Sequence, residues 1–287
     1  MAIDFRKVSY SYSALKKNKK VKFAVSDVNL EIAEKDEFIA IVGHTGSGKS
    51  TLVQLMNALL VPSLGEIDIL GTTINPHVKV KLKPIRKQVG LVFQFPEYQL
   101  FEETSLKDIT FGPKNFGIPT EEAIQKALDV ARLVGLSDDI LKKSPFAISG
   151  GEMRKVAIAG ILASNPDILI LDEPTVGLDP FGKSELLKLL KRINEEEHKT
   201  IIIITHDMEV VSQVAKRVIV LDNAKIVYDG DMKALFKNDE FLINHNLDYP
   251  EIMKLMRSLK ERLSVDIDIY QYSIEEAYQE LSRVLGD

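Results

Sequence analysis

Residues 43–51, GHTGSGKST, combine three glycines with one lysine and four hydroxyl side chains. This stretch follows the apolar run FIAIV and precedes LVQLMNALL, an order that predicts a strand, a tight turn and a helix. The spacing fits the pattern G-x-x-x-x-G-K-[ST] in the context which that pattern requires. Glycines let successive N–H groups turn around an anion, and a helix N-terminus adds partial positive charge. We therefore expect a phosphate-binding loop (P-loop) for a nucleotide, the alternative being a glycine turn without a ligand.

The side chains of this loop predict separate roles. Lys49 can reach the β- and γ-phosphates of a nucleotide, and the Ser50 hydroxyl can be a ligand of Mg²⁺. We expect the nucleotide to contact the whole loop, namely Gly43, His44, Thr45, Gly46, Ser47, Gly48, Lys49, Ser50 and Thr51.

Two carboxylates end the apolar run ILILDE at residues 168–173. Such a run is typical of a strand buried on both faces of a parallel sheet, where ligands bind at the carboxyl edge. Asp172 can hold Mg²⁺ directly or through water, and Glu173 can act on the attacking water as a general base. A pair of surface acids is the alternative, but the upstream P-loop favours a site of nucleotide hydrolysis.

A second possible anion site is ISGGE at residues 148–152. Ser149 can cap the helix that follows, and Gly150 and Gly151 lie in its first turn. Taken alone, this pattern indicates an ordinary capped helix. Two anion-binding helix starts can serve one nucleotide if two chains pair head to tail, so that each chain's second start covers the P-loop of its partner.

The elements that must position these residues alternate along the chain. Apolar spacing predicts strands at 8–12, 28–32, 38–42, 66–70, 88–93, 168–173 and 200–204, and a hairpin formed by 217–221 and 225–228. It predicts helices at 49–60, 120–135, 150–164, 186–193, 250–263 and 274–285. Residues 95–119 are expected to form an irregular surface segment. The pattern indicates an α/β fold with a mainly helical appendage at 246–287.

Composition limits the functional classes. The 287 residues are 45% hydrophobic and carry 37 Lys+Arg against 42 Asp+Glu, a net charge of −5. This balance disfavours sequence-independent binding of nucleic acid. Cysteine is absent, which favours a cytoplasmic location. No signal-peptide pattern and no apolar run near the ~18 residues of a membrane span is found, so a membrane role would act through other subunits.

The lysine-rich stretch KKNKKVK at residues 16–22 is interpreted as a solvated hairpin tip, with contact to acidic lipid headgroups as the alternative.

Taken together, the motifs resemble the nucleotide-binding subunits of ATP-binding cassette (ABC) transporters over about residues 3–245. GHTGSGKST resembles the Walker A motif, ILILDE the Walker B motif, ISGGE the signature motif and GLDP at 177–180 the D-loop. The resemblance implies ATP and Mg²⁺ as ligands. It implies that Tyr12 stacks on adenine, that Gln94 binds Mg²⁺ with Ser50 and Asp172, and that His206 holds the γ-phosphate.

The implied architecture is a P-loop NTPase with a mainly parallel core sheet, an antiparallel β subdomain and a helical signature subdomain at about 95–165. The implied catalytic residues are Lys49, Glu173 and His206, while Ser149, Gly150 and Gly151 would bind the partner's nucleotide. The ATPase domain would span 1–245, followed by the appendage.

Three stretches resemble a narrower group, the energy-coupling factor (ECF) transporter ATPases. These are FQFPEYQLFEETSLKDITFGPKNFG, MRKVAIAG and the appendage. ECF transporters contain two paralogous ATPases, and GHTGSGKST and GGEMRKVAIAG are most similar to the second of them. The resemblance implies import of vitamins or of metal ions such as cobalt. The implied partners are a paralogous ATPase, a transmembrane coupling subunit and a substrate-binding membrane subunit, with the chain peripheral on the cytoplasmic face of the cell membrane. Glu152 departs from the usual glutamine, and its charge would repel a partner's triphosphate unless it faces the ribose hydroxyls.

Two other functions fit parts of the sequence. An ABC ATPase acting on nucleic acid or the ribosome would usually contain a long coiled coil or two cassettes, but only about 55 residues separate Gln94 from Ser149. A cassette with a regulatory role alone would not need both Glu173 and His206. In the appendage, Leu255, Leu259 and Leu263 have the spacing either to join two ATPases or to pack on their own domain.

Overall fold

The computed structural model describes residues 1–13, 21–33, 35–263 and 265–286. Most of the lysine-rich stretch therefore lies outside the described residues. The strands are β1 Ile3–Tyr10, β2 Val25–Ile32, β3 Phe38–Val42, β4 Leu64–Ile69, β5 Thr72–Ile74, β6 Val89–Val92, β7 Ile168–Asp172, β8 Thr200–Ile204, β9 Arg217–Asp222 and β10 Lys225–Asp231.

The helices are α1 Lys49–Met56, α2 Lys83–Gln88, α3 Ser105–Asn115, α4 Thr120–Leu133, α5 Asp138–Lys142, α6 Gly150–Leu162, α7 Pro180–Glu196, α8 Met208–Val214, α9 Met232–Phe236, α10 Asp239–Asn244, α11 Glu251–Leu263 and α12 Ile274–Leu285. Short 3₁₀ turns occupy Pro96–Gln99 and Pro145–Ala147.

The strands form two sheets. The central sheet has the order β10-β9-β3-β8-β7-β6, in which β9 through β6 are parallel and β10 is antiparallel. The smaller sheet has the order β2-β1-β4-β5 and is antiparallel. The predicted α/β class, with its mainly parallel core sheet and its antiparallel β subdomain, is confirmed.

The continuous apolar runs are explained by two hydrophobic cores on opposite faces of the central sheet. Along β3, Phe38, Ala40 and Val42 join the core that includes residues of α6, α7 and α8. Ile39 and Ile41 join the core shared with the smaller sheet and α1. Because side chains alternate along a strand, a strand buried on both faces must be apolar at every position. This packing places the carboxyl ends of β3, β7 and β8 at one edge.

The segment from 95 to 119 is more regular than the sequence indicated. It contains the 3₁₀ turn and α3, so the expectation of an irregular segment was wrong. Thr104 caps α3 by accepting a hydrogen bond from the Lys107 amide, and Pro113 lies in the last part of the helix. Gly112 permits a close approach to α6, since a Cβ there would lie 3.0 Å from the Gly160 carbonyl oxygen.

The helix after the P-loop also differs from its expected bounds. It ends at Met56 instead of residue 60, because Ala58 adopts a left-handed backbone with φ of 55°. The buried Asn57 side chain turns away to donate to the Val89 carbonyl of β6. A polar group that is buried needs such a partner, and this bond fixes the end of α1 against the sheet.

The C-terminal helices α11 and α12 enclose a small core of their own, formed by Met256, Ile267 and Ala277. Met253 and Tyr272 instead join the core on the face of the central sheet that packs against α6, α7 and α8. The appendage is therefore packed against the rest of the chain as well as on itself.

Candidate nucleotide-binding site

The loop at 43–48 connects the end of β3 to the start of α1. Gly43 has φ of 142° and Gly48 has φ of 112°, values that favour glycine. A Cβ at Gly43 would lie 2.1 Å from the Leu221 carbonyl oxygen, and one at Gly48 would lie 2.2 Å from that of Ala24. The loop is thus seated against β9 and the start of β2, where only glycine fits.

Lys49 reaches back across this loop. Its Nζ donates to the carbonyl oxygens of Gly43 at 2.7 Å and His44 at 3.0 Å. Burial lowers the pKa of Lys49, while the nearby charges of Glu173 and Asp172 act in the opposite direction. The ammonium group is therefore held between the loop and the two carboxylates that follow β7.

Ser47 carries a polar atom without a partner. Its side chain is fully buried, and its Oγ has no hydrogen bond among the described residues. A buried hydroxyl without a partner is costly, so an unpaired one inside a glycine loop fits an oxygen-rich ligand such as a phosphate.

The remaining loop residues are tied to neighbouring elements. His44 Nε2 lies 3.1 Å from Asp222 Oδ1, and the other oxygen of that carboxylate lies 3.3 Å from His245 Nδ1. Thr45 and Gly46 are exposed. Thr51 Oγ1 lies 3.1 Å from the hydroxyl of Tyr12.

Tyr12 lies beyond the end of β1 instead of inside a strand, and it is 68% exposed. Its ring meets that of Tyr10 edge to face, with centroids 5.0 Å apart. An exposed aromatic ring, held by a hydrogen bond beside the P-loop helix, offers a free face for stacking.

Asp172 ends β7, and the Ser50 hydroxyl of α1 lies close enough to influence its pKa. Burial raises the pKa of Asp172, and the Ser50 hydroxyl partly offsets this effect. The two residues that could share a magnesium ion are thus adjacent. Among the described residues, no group of three or more His, Cys, Asp or Glu side chains is arranged so that it could hold a metal ion by itself. An ion held by Ser50 and Asp172 would take its other ligands from phosphate and water, as Mg²⁺ commonly does.

Glu173 lies just past β7 in a left-handed backbone with φ of 50°. Its amide donates to the Ile204 carbonyl at 2.9 Å, and its Oε1 lies 2.8 Å from Nδ1 of His206. Its Oε2 is buried and has no partner among the described residues. One oxygen of this carboxylate is therefore oriented by the imidazole, and the other is free to accept a proton.

Gln94 follows β6, the strand next to β7. It is exposed, and no hydrogen bond joins it to Ser50 or Asp172 within the described part of the chain. The fold therefore brings Gln94 to the same edge of the sheet without placing it in contact with the other two residues.

The residues predicted to form a second anion site lie at a helix start with a capping box. Ser149 Oγ accepts from the Glu152 amide at 3.3 Å. Glu152 Oε2 accepts from both the Ser149 amide and its hydroxyl at 2.8 Å. Gly150 and Gly151 have open space where a Cβ would be. A cavity of about 940 Å³ opens between this helix start, the side of α7 as far as Arg192 and the end of α4, and Ser149, Gly151 and Asp179 are among its lining residues.

Some site residues were not found from the sequence. Asp207 caps α8 by accepting from the amides of Glu209 and Val210, and it pairs with Lys183 at 2.6 Å. It thereby fixes the turn that carries His206. Asp222 was also missed, since its partner His44 is 178 residues away in the chain. The only local signal for Asp207 was its place after a strand and before a helix.

Comparison with known proteins places this geometry in context. The family model described as "ABC transporter" matches residues 25–176. The energy-coupling factor transporter ATP-binding protein EcfA2 of Ligilactobacillus salivarius is 46% identical over 287 residues, covering 100% of this chain and 98% of that protein.

Two solved structures are similar as well. The structure of cbiO1 from Clostridium perfringens, part of the ABC transporter complex cbiONQ, has a TM-score of 0.72 at 34% identity, covering 89% of this chain and 98% of its own. A dimeric ATP-binding cassette in a post-hydrolysis state, bound to ADP and Pi, has a TM-score of 0.69 at 32% identity, covering 80% of this chain and 98% of that one.

Proposed function

The chain belongs to the ABC transporter family, among the energy-coupling factor transporter ATP-binding proteins, and from this premise we propose that it hydrolyses ATP to drive uptake by an importer of that type. The observation that carries the proposal is that the P-loop and two potential catalytic side chains lie together at one edge of the central sheet. Lys49 and the Ser47 hydroxyl, which has no partner in the part of the chain that the structure describes, lie on the P-loop, and the Glu173–His206 pair follows the neighbouring strands. These groups supply a phosphate grip and a base for water.

Binding depends on the loop and Lys49. Main-chain N–H groups of residues 43–48 and of the start of α1 would donate hydrogen bonds to the phosphate oxygens, because a helix N-terminus and glycine turns favour anions. Lys49 would exchange its two carbonyl acceptors for phosphate oxygens. Tyr12 would stack on the adenine ring with its exposed face.

Hydrolysis depends on the carboxylates. Ser50, Asp172 and, after movement of its loop, Gln94 would hold Mg²⁺, which supplies charge neutralisation to the phosphates. Glu173 would accept a proton from the attacking water at Oε2. His206 would keep Glu173 oriented through Oε1 and contact the γ-phosphate from its exposed side.

The site would be completed by a second ATPase, because Ser149, Gly150 and Gly151 have no hydrogen bond to the P-loop of the same chain among the described residues. We infer a head-to-tail pair with a paralogous subunit, each covering the other's nucleotide. The open cavity beside Ser149 and Asp179 supports this arrangement by leaving the second anion site accessible.

Further partners would be a transmembrane coupling subunit and a substrate-binding membrane subunit, with vitamins or transition-metal ions as cargo. Among the described residues, no helix is both long and apolar enough to cross a membrane. The surface after Gln94 exposes Phe95, Tyr98, Phe101 and Phe111. Exposed aromatic clusters mark docking sites, so we assign this surface to the coupling subunit and the chain to the cytoplasmic face of the cell membrane.

Two substitutions test the proposal in the assembled complex. Glu173→Gln should keep ATP binding and slow turnover by about 10²- to 10⁴-fold, the typical contribution of a general base. Lys49→Ala should weaken nucleotide binding itself. ATPase activity, nucleotide affinity and the identity of the co-purified subunits are measured together. Wild-type turnover in Glu173→Gln, or co-purification with RNA or DNA instead of membrane subunits, would contradict the proposal.

A further inference from the structure

Arg154 is a buried charge that the proposed mechanism does not use. It lies in the second turn of α6 and is only 6% exposed. A guanidinium cannot lose its proton in a protein, so its burial requires partners for its donors. Those partners belong to two segments near the proposed catalytic residues.

Three nitrogens of Arg154 bond to two separate segments. Nη2 and Nε donate to the two carboxylate oxygens of Glu97, at 3.0 and 3.3 Å. Nη1 donates to the carbonyl oxygens of Val176 at 2.8 Å and Pro174 at 3.2 Å. One side chain therefore connects α6, the 3₁₀ turn after Gln94 and the backbone that follows Glu173.

The second of these segments is the one that sets the position of Glu173. Pro174 follows Glu173 directly, and the Val176 amide donates to the Glu173 carbonyl at 3.3 Å. On its other side, the Glu173 amide is held by Ile204 of β8. The left-handed backbone of Glu173 is thus fixed at both ends, by the sheet before it and by Arg154 after it.

The first segment reaches the same turn by a second route. Phe95 packs beside Gly177, since a Cβ on that glycine would lie 3.8 Å from Cε1 of the phenyl ring. The turn at 174–177 is therefore held to residues 95–97 by one ring contact and one shared guanidinium.

Stability alone does not account for such a pair. Replacing a buried ion pair with apolar side chains is often neutral or stabilising, whereas a guanidinium bonded to a carboxylate and two carbonyls fixes directions and distances. Lysine cannot reproduce this because it lacks the planar fork.

We propose that Arg154 is a positioning residue for hydrolysis, which holds Pro174–Val176, and through them Glu173, in register with residues 95–97 after Gln94. This inference rests on the proposed function, because it assigns to Glu173 the role of the base. Arg154 acts through the position of Glu173.

The test uses the assembled complex with Arg154→Lys and a matched control, Arg217→Lys. Arg217 also bridges carboxylates and a carbonyl, namely Glu37, Asp229 and the Glu31 oxygen, but it starts β9 at the opposite end of the parallel strands. Arg154→Lys should lower kcat by about 10- to 100-fold, the cost of a small misplacement of a reacting group. The KM and Kd for ATP and the thermal midpoint should match those of the control.

Epistasis separates positioning from a structural role. In a Glu173→Gln background, Arg154→Lys should cause no further loss of kcat, because residues that act as a unit are not additive. Glu97→Gln is a second arm that leaves Arg154 and its two carbonyl bonds in place, and it should lower kcat by a smaller factor with ATP affinity unchanged.

The outcomes distinguish this inference from its premise. A wild-type complex without ATPase activity, or normal turnover in Glu173→Gln, overturns the proposed function and the inference with it. If wild type hydrolyses ATP and Glu173→Gln is slow, the inference alone is overturned in two cases. In the first case, Arg154→Lys has the same kcat as Arg217→Lys. In the second case, Arg154→Lys lowers kcat by the same factor in the wild-type and in the Glu173→Gln background.

Discussion

The carboxylate of Asp172, a residue of the proposed site, lowers the stability of the folded chain when it is ionised. Burial raises its pKa, so the ionised form is less favourable in the folded chain than in the unfolded chain. Between the ordinary pKa of 3.8 and the raised value, the folded state binds more protons, and stability therefore falls as pH rises through that window. The ionised form of Asp172 thus costs stability instead of adding to it, which agrees with a role in binding such as the one proposed at Mg²⁺.

We expect Asp172→Asn to raise the thermal midpoint of the nucleotide-free chain at pH 7, because a partly buried carboxylate is replaced by a neutral side chain of the same shape. The same variant should lose the additional stabilisation that Mg²⁺ gives to the ATP-bound chain. Thermal unfolding without ligand, with ATP and EDTA, and with ATP and Mg²⁺ measures both effects. The control is Asp167→Asn, just before the other end of β7. A lower midpoint for nucleotide-free Asp172→Asn than for wild type would disprove this account.

The positions of single site residues could be predicted where they depend only on the neighbouring sequence. Lys49, Ser50, Asp172 and Glu173 each follow an apolar run that ends at one sheet edge, so sequence spacing was sufficient to place them there, while their roles stay predictions. Arg154 and Asp222 were not predictable, because their partners lie in distant parts of the chain and nothing in the neighbouring residues indicates them. Gln94 was placed at the correct edge, but its contact with Mg²⁺ stays a prediction.

At the scale of elements, the residues that cap the start of α6 are also those proposed to bind the partner's nucleotide. The hydrogen bonds from the Ser149 amide and hydroxyl hold the pKa of Glu152 below its usual value, so it is ionised at neutral pH. A negative charge at a helix N-terminus stabilises the helix but opposes an incoming phosphate.

Glu152→Gln should therefore tighten the ATP-dependent pairing of the two ATPases. Two unit charges about 4 Å apart in water interact by about 1 kcal/mol, so an effect near fivefold is expected. The dissociation constant of the pair is measured with ATP in the Glu173→Gln background, which keeps the nucleotide intact. Glu121→Gln, in the first turn of α4, is the control for a glutamate at another helix start. Weaker pairing would show that Glu152 helps to bind the neighbouring nucleotide.

The last helix has its own pH-sensitive support. The Arg283 side chain and the Asp268 amide hydrogen-bond to Glu280 and lower its pKa from 4.5 to about 2. The stabilising effect is complete above pH 4.5 and is lost as pH falls through about 2. Glu280 thus holds α12 to the extended segment before it at neutral pH.

Glu280→Gln should lower the hydrogen-exchange protection of the Asp268 amide at neutral pH, and the difference from wild type should shrink as pH falls toward 2. Glu261→Gln, an exposed glutamate of α11, is the control. Equal protection of Asp268 in wild type and in Glu280→Gln at neutral pH would rule out this role.

Elements were predicted best where one face or both faces meet a core. Strands β3, β7 and β8 were clear for this reason, as were α11 and α12. Helix α3 was missed because Gly112 and Pro113 weaken the local helical signal, and its formation depends on close packing against α6. The end of α1 was misjudged because the Asn57 side chain bonds to β6, a contact that no local pattern contains.

At the scale of the whole molecule, the outer face of the appendage exposes several large apolar side chains. Of the three leucines expected on one helix face, Leu259 packs on the appendage core, whereas Leu255 is 50% and Leu263 is 46% exposed. Ile274 and Tyr278 of α12 are also exposed, at 75% and 68%. Apolar side chains grouped on two neighbouring helices favour a protein contact, and we propose the paralogous ATPase as its occupant.

The two roles of these leucines can be separated by substitution. Leu255→Ser and Leu263→Ser together should weaken pairing of the two ATPases without nucleotide and leave the thermal midpoint of the chain nearly unchanged, since exposed side chains contribute little to folding. Leu259→Ala should lower the thermal midpoint of the chain, because it leaves a cavity in a small core, and it should leave the pairing nearly unchanged. Pairing is measured by analytical ultracentrifugation, with Val78→Ser as a control at an exposed apolar residue outside the appendage. If the double variant paired as wild type does, and deletion of 246–287 also left the pair intact, the appendage would pack only on its own chain and the P-loop and signature faces alone would hold the two ATPases together.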